Sequence, residues 1–249
     1  VARTRPPSFP QRDFPITDFA ARAGGDASDA FRSAIAACSR AGGGRVVVPP
    51  GEFLTGPIHL LSNVNLHVSP GATIRFSNDP ARYLPVVLTR WEGVELMNYS
   101  PLVYAYDQEN VAITGGGTLD GQAGPEHWWP WKSAQGATSQ KPDRDRLFRQ
   151  AEDGVPVAER VYGAGHYLRP QFIQPYRCRN VLVEGVTIRN SPMWVIHPVL
   201  STNVTVRGVQ VASAGPNNDG CNPESSSVGL IEDAGFHTGA DCLAIKTGC

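Results

Sequence analysis

Two aspartates near the end of the sequence have the side-chain type and spacing that acid–base chemistry needs. Asp219 lies in the turn at 217–220, and Asp241 lies in the turn at 239–242, which is 22 residues further on. Two carboxylates on either side of a water-sized gap can activate water for glycosidic hydrolysis with inversion. Aspartate is also a common turn residue without any chemical role. The spacing alone leaves both interpretations open.

The segments around these aspartates repeat at a similar interval. Several begin with Asn-Val, and an apolar position recurs after 23 and then 25 residues, at Ile188, Val211 and Phe236. A repeat of this length without an intervening helix predicts a parallel β-solenoid, whereas a β-sandwich would not explain the near-constant interval. One coil rises by about 4.8 Å, so we expect Asp219 and Asp241 on adjacent coils of one face.

One helix is predicted, and it precedes the strands. Its buried face would be formed by apolar residues at helical spacing, and Asp26 or Ser28 can cap its start. These apolar residues are Ala30, Phe31, Ala34, Ile35 and Cys38. The 26 glycines and 21 prolines are typical of many short strands joined by turns.

The composition sets limits on partners. With a net charge of −1 and 18% charged residues, the chain has no long-range attraction to nucleic acid or to an anionic membrane. No apolar run approaches the roughly 20 residues that a membrane span needs. Five cysteines without a Cys-x-x-Cys pair favour neither a zinc site nor a disulfide framework, and we expect Cys221 and Cys242 to be buried neighbouring thiols rather than a bridge. We expect a monomeric single domain over 1–249 without metal or cofactor.

Residues 120–175 interrupt the repeat. They contain three tryptophans within four residues, at 128, 129 and 131, and a charged stretch after them. Long excursions from a repeat fold often map to its binding face. The tryptophans could stack on a sugar ring or could pack the insertion onto the body of the protein, and the sequence favours neither.

Several motifs together resemble those of the polygalacturonases, family 28 of the glycoside hydrolases. The two aspartate turns read Asn-Asn-Asp-Gly and Gly-Ala-Asp-Cys, and Ala-Ile-Lys-Thr-Gly follows. The family has Asn-Thr-Asp-Gly and Gly-Asp-Asp-Cys at these places. Segments 42–51, 117–121 and 190–197 are similar to its earlier coils. The resemblance covers most of the chain and implies an all-β fold, a right-handed parallel β-helix with an N-terminal capping α-helix.

The resemblance also implies a function. Family members hydrolyse α-1,4 bonds between galacturonic acid units of pectin, or related rhamnogalacturonan bonds, with inversion. Asp219 and Asp241 match the carboxylates that activate the water. Because pectin lies outside the cell, the family implies a secreted or periplasmic protein. The size of the insertion further suggests a cleft closed at one end, and therefore exo action.

Four further residues are candidates for substrate binding. Asn217 and Lys246 match positions that line the family's cleft, and Lys246 could pair with a substrate carboxylate. Trp194 and His197 could contact the sugar, but each could equally be a packed residue.

Two departures from the family pattern affect this expectation. Ala240 stands where the family has its general acid, and loss of a general acid typically lowers the rate by about 10²–10⁴-fold. The sequence also ends before the family's Gly-His-Gly and Arg-x-Lys motifs, which suggests truncation at the C-terminal end. We therefore expect impaired hydrolysis. The alternatives are a non-catalytic pectin-binding β-helix and a calcium-dependent pectate lyase.

Overall fold

Three parallel sheets run along the length of the molecule, and successive coils of the chain add strands to each of them in turn. The structure is a computed structural model that describes residues 3–133 and 135–248. It confirms the predicted right-handed parallel β-helix with an N-terminal helix. No helix among these residues is long and apolar enough to span a bilayer.

The helices are α1 Ser28–Arg40, α2 Pro130–Ser133 and α3 Lys141–Glu152. The strands are β1 Asp13–Pro15, β2 Gly44–Val48, β3 Gly51–Thr55, β4 Ile58–His59, β5 Val64–Val68, β6 Ala72–Phe76, β7 Val87–Trp91, β8 Val94–Asn98, β9 Val103–Tyr106, β10 Glu109–Gly115, β11 Thr118–Asp120, β12 Ile173–Tyr176, β13 Arg179–Glu184, β14 Thr187–Arg189, β15 Thr202–Arg207, β16 Gln210–Ser213, β17 Ser227–Glu232 and β18 Gly235–Thr238. Sheet A has the order β1-β2-β5-β10-β13-β15-β17, sheet B β3-β6-β11-β14-β16-β18, and sheet C β4-β9-β12. Single parallel bridges continue sheet C through the later coils.

The core lies between the three sheets and follows from alternation along each strand. In β5, Val64, Leu66 and Val68 are fully buried, while the residues between them point away from the core. The predicted repeat positions also stack: Ile188 pairs with Val211, and Val211 pairs with Phe236. The interval between repeats in the sequence therefore corresponds to one coil of the β-helix.

The predicted helix is α1, and it covers the first coil. Its five predicted apolar residues are all buried. The N-cap position is Ala27, so neither predicted residue occupies it, but Asp26 Oδ1 accepts a hydrogen bond from the backbone N–H of Ser28, the first helical residue, at 2.9 Å. After the helix, Gly43 has φ +111° and approaches Asn63 so closely that a Cβ would lie 2.6 Å from its carbonyl oxygen. Only glycine fits this exit from the helix.

Two segments leave the coils at the corner between sheets B and C. The first contains the antiparallel hairpin β7–β8, and the second runs from β11 to β12. The second segment lies within the predicted insertion and contains α2 and α3. No apolar period in the sequence predicts α3, because the helix buries only Asp143 and Leu147 and so lacks a clear apolar face.

An asparagine ladder supports the corner between sheets C and A. Asn63, Asn110, Asn180 and Asn203 stack over four coils, and each Nδ2 donates to the Oδ1 of the preceding asparagine at 3.1, 3.0 and 2.7 Å. All four have left-handed φ values between 54° and 67°, which asparagine tolerates better than most residues. Arg5 completes the ladder through its backbone N–H and C=O, which bind the Asn203 amide at 3.0 and 2.7 Å.

We expect Asn180→Ala to lower the free energy of unfolding by about 2 kcal/mol, because two partly buried hydrogen bonds are lost and alanine disfavours the left-handed backbone. Urea unfolding followed by circular dichroism would measure the change. Asn180→Gly is the matched control, since it removes the amide but keeps the backbone conformation, and it should lose less. An alanine variant as stable as the unaltered chain would contradict the proposed contribution of the ladder.

Candidate functional site

Asp219 and Asp241 lie at corresponding places on adjacent coils of sheet C. The parallel bridge between Cys221 and Leu243 has an offset of 22 residues, which also separates the two aspartates. The backbone N–H of Gly220 donates to the carbonyl of Asp241 at 2.9 Å, so the two turns are hydrogen-bonded to each other. The structure therefore brings the two predicted carboxylates to one corner of neighbouring coils.

The two aspartates differ in their surroundings. Asp219 is only 5% exposed, whereas Asp241 is exposed. Asp219 Oδ2 accepts a hydrogen bond from Asn222 Nδ2 at 2.9 Å. In the other turn, the Ala240 carbonyl accepts from the Thr238 hydroxyl at 2.9 Å, which leaves the methyl side chain of Ala240 exposed without an acidic group. One carboxylate is thus held by the fold, and the other faces solvent.

Lys246 links two of the predicted residues. Its Nζ lies 3.5 Å from Asp219 Oδ2 and 4.8 Å from the centroid of the Trp194 ring. Trp194 in turn meets the edge of the His197 ring at a centroid distance of 4.9 Å. Both rings are buried, and the Trp194 ring makes a cation–π contact with the Lys246 ammonium. Substrate contact by Trp194 or His197 stays a prediction.

A buried ionic group lies beneath these rings. The Glu224 carboxylate is fully buried, and its Oε2 lies 3.3 Å from Arg90 Nη1 and 3.6 Å from His197 Nε2. Gln174 Nε2 donates to His197 Nδ1 at 3.1 Å, so the ring carries its proton on Nε2, facing Glu224. Burial favours the neutral carboxyl, but His197 and Arg90 outweigh it and lower the pKa of Glu224.

Asn217 is held by the insertion between β11 and β12. Arg169 Nη2 donates to Asn217 Oδ1 at 2.7 Å, and Nη1 donates to the carbonyls of Pro216 and Pro192 at 2.8 and 2.9 Å. Arg169 is fully buried, and this burial lowers its pKa to about 10, which leaves it charged at neutral pH. One side chain of the insertion therefore fixes the turn that carries Asn217 and Asp219.

The tryptophans of the insertion pack against the coils. Trp128 is buried in the main core, while Trp129 and Trp131 are partly buried against it. The Trp129 Nε1–H donates to the Ser191 carbonyl at 2.8 Å, and a Cβ on Gly215 would lie 2.2 Å from the Trp129 ring. The insertion therefore closes against the turn immediately before Asp219.

The hairpin β7–β8 covers the outer side of sheet C in the preceding coils. Thr89 Oγ1 donates to Gln174 Oε1 at 2.6 Å, and Gln171 Nε2 donates to the Arg90 carbonyl at 2.7 Å. From there Arg90 extends to Glu224 beneath the site. The hairpin and the insertion together close the side of the site that faces the earlier coils.

Sequence reasoning missed several residues of this site. Asn222 and Glu224 alternate with the inward Cys221 and Pro223, so the period of two could have placed them on the outer side of a strand. Arg90 and Arg169 had no such signal, because they come from insertions far away along the chain.

The cysteine prediction was partly wrong. Cys221 and Cys242 are neighbours, since the backbone N–H of Cys221 donates to the Cys242 carbonyl at 3.1 Å, and both are free thiols. Cys221 is buried as expected, but Cys242 is exposed because its turn lies at the solvent-facing corner. Cys249 lies outside the described residues.

We expect Glu224→Gln to lower the free energy of unfolding at pH 7 by about 2 kcal/mol, because it removes the fully buried one of the two carboxylates that pair with Arg90 and leaves only Glu95, at 3.3 Å. The pKa of Glu224 lies below its ordinary value of 4.5. Its stabilising contribution is therefore complete above that pH and is lost as the pH falls through the lowered pKa. The difference between the two proteins should shrink below pH 4.5 in urea unfolding series.

The matched control is Glu232→Gln, which removes a half-exposed partner of Arg207 at 3.6 Å and should change the stability little. A Glu224→Gln effect that is the same at pH 7 and in acid would argue against an ionised Glu224.

Comparison with known proteins agrees with this geometry. The family described as Glycosyl hydrolases family 28 matches residues 163–249. A "Probable polygalacturonase" of Vitis vinifera is 29% identical over 88% of this chain and 40% of its own length. An "Exo-poly-alpha-D-galacturonosidase" of Dickeya chrysanthemi is 26% identical over 94% of this chain and 42% of its own length.

The structural comparison extends the likeness to almost the whole chain. The crystal structure of a hyperthermoactive exopolygalacturonase from Thermotoga maritima is 58% identical with a TM-score of 0.96, and the match covers 98% of this chain and 56% of that one. This chain spans about two fifths of the length of the curated relatives described above. The motifs, the coils and these matches together make the chain similar to glycosyl hydrolases family 28, whose model matches residues 163–249.

Proposed function

We propose that this protein is a pectin-degrading glycosidase that hydrolyses α-1,4-galacturonosidic bonds of polygalacturonate with inversion. The observation that carries the proposal is the pair Asp219 and Asp241 on adjacent coils, beside the Lys246 ammonium. The names of the relatives from Dickeya chrysanthemi and Thermotoga maritima support galacturonosidic bonds as the target.

The geometry of the site suggests which groups take part in each proton transfer of the hydrolysis. Asn222 and Lys246 both approach Oδ2 of Asp219, and Oδ1 has no protein donor among the described residues, so it can accept a proton from water. As that water attacks the anomeric carbon, its proton passes to the carboxylate pair and the bond to the leaving oxygen breaks. The leaving oxygen needs a proton from an acid on the other side, and Ala240 cannot supply it.

We expect Ala240→Asp to raise the rate of reducing-sugar release from polygalacturonate by about 10²–10⁴-fold, because it restores an acid at this position. The matched test uses a 4-nitrophenyl galacturonide, whose leaving group needs little protonation. Both proteins should hydrolyse it at similar rates. If the unaltered chain releases sugar from polygalacturonate as fast as the Asp variant, Ala240 is not the cause of impairment. If neither acts on either substrate, the hydrolase proposal fails for this chain.

We also propose exo action. Trp129 packs on Gly215, and Arg169 binds Asn217, so the insertion reaches the turn that carries Asp219. The hairpin covers sheet C in the coils before it. A polymer therefore has no open path across the site toward the earlier coils, and a chain end fits this closed side better than a chain interior.

Exo action predicts one small product from the start of the reaction. With the Ala240→Asp protein, we expect mono- or digalacturonate alone in early time points, while the viscosity of the polymer falls slowly. Anion-exchange chromatography of the products measures this. A mixture of longer oligomers with a rapid fall in viscosity would indicate endo action instead.

A second candidate function is pectin binding without turnover, and Ala240 is the observation that favours it. Binding of trigalacturonate together with inactivity of both the unaltered chain and Ala240→Asp would support this candidate. A calcium-dependent lyase is not favoured, because the Lys246 ammonium lies 3.5 Å from Asp219 where a cation would bind. Since pectin is extracellular, we further propose a monomer that is secreted or periplasmic, which fractionation of the source cells and gel filtration would test.

A further inference from the structure

Arg169 is a buried cation without an acidic partner. Its side chain is fully buried, and its four hydrogen bonds within residues 3–133 and 135–248 go to uncharged oxygens. Three of these contacts lie at the corners of successive coils, on Pro192, Pro216 and Asn217, and the fourth is Gln140 within the insertion. A buried charge without a counter-ion is costly to the fold. Its four hydrogen bonds use the planar guanidinium to join the insertion to two coils, and one of them acts on a residue of the Asp219 turn.

The contact with Asn217 fixes which way its amide group faces. Because Arg169 donates to Oδ1, the Asn217 oxygen points into the insertion, and the NH2 group must point the other way. Among the described residues no acceptor binds this NH2 group, and Asn217 is only partly buried. Its left-handed φ of 55° holds the backbone in the same turn as Asp219. The turn that carries Asp219 therefore also carries an oriented amide donor that has no protein partner in the described part of the chain.

We propose that Arg169 is a positioning residue that presents the Asn217 amide to a galacturonate carboxylate at the closed side of the site. The inference rests on the proposed function and assigns it a specificity element. The NH2 group donates to the substrate carboxylate, while the Arg169 charge behind it adds a favourable field for an anion in a region of low dielectric. A neutral galactoside gains neither contribution, so the pair selects uronides.

The test measures trigalacturonate binding to the full chain by titration calorimetry, with a neutral α-1,4-galactotriose as the comparison ligand. Asn217→Asp places a carboxylate beside Arg169, removes the NH2 donor and adds a negative charge. We expect its melting temperature to stay equal or rise, because the buried cation gains a partner, while trigalacturonate affinity falls by roughly 10- to 100-fold. A purely structural contact would not separate the two measurements in this way.

The double variant tests whether Arg169 acts through Asn217. Arg169→Met should weaken trigalacturonate binding about 10-fold in the unaltered chain but cause little further loss in an Asn217→Ala background. Arg169→Lys provides the same test if the methionine variant does not fold, since an ammonium cannot hold all the acceptors at once. Arg160→Met is the matched control, because Arg160 also binds backbone carbonyls, at 2.8 and 3.1 Å, away from the site. It should leave binding unchanged.

The outcomes separate this inference from the proposed function. If the unaltered chain binds neither ligand, the proposed function is wrong, and the inference falls with it. If trigalacturonate binds but Asn217→Asp keeps its affinity, or the losses of Arg169→Met and Asn217→Ala simply add, the inference alone is wrong. Equal losses of affinity for trigalacturonate and galactotriose would also overturn it, because the contact would then not recognise the substrate carboxylate.

Discussion

The parallel register of sheet C is the constraint on which the site depends. Backbone hydrogen bonds between coils fix which residue lies above which, and a shift of one residue would turn every side chain to the opposite face. The bridges from Cys221 to Leu243 and from Glu224 to Lys246 keep the same offset. Asp219, Lys246 and Glu224 therefore come together from two coils without any flexible connection. The main-chain register therefore sets the positions of these three side chains, and contacts between the side chains adjust those positions only locally.

Two arginines from two excursions of the chain support this coil surface from outside. Arg90 comes from the hairpin and meets buried Glu224, and Arg169 comes from the longer insertion and meets Asn217. Their partners differ in kind. Arg90 pairs with the Glu224 carboxylate, which His197 also contacts, whereas the hydrogen bonds of Arg169 among the described residues go to uncharged oxygens. The two excursions thus close one side of the site and also set its electrostatic character.

Much of the fold could be predicted from the sequence because coil repeats leave a periodic signal. The column of Ile188, Val211 and Phe236 was visible as an interval, and the helix α1 was visible as a spacing of apolar residues. The adjacency of Asp219 and Asp241 followed from the same interval. Arg169 could not be found this way, because its contacts depend on how the excursion at 121–172 folds back onto the coils, and no local pattern encodes that return. The helix α3 escaped for a related reason, since its buried face is too small to produce a period.

The tie between Arg5 and the asparagine ladder has a consequence for how the protein assembles. The backbone of Arg5 binds Asn203 across 198 residues of sequence, so this contact closes a very long loop. Closing such a loop is entropically unfavourable unless the intervening coils are already stacked. Docking of the N-terminal arm must then follow the coils rather than lead them. The arm that contains Arg5 can therefore bind Asn203 only after the coils that carry the asparagine ladder have formed.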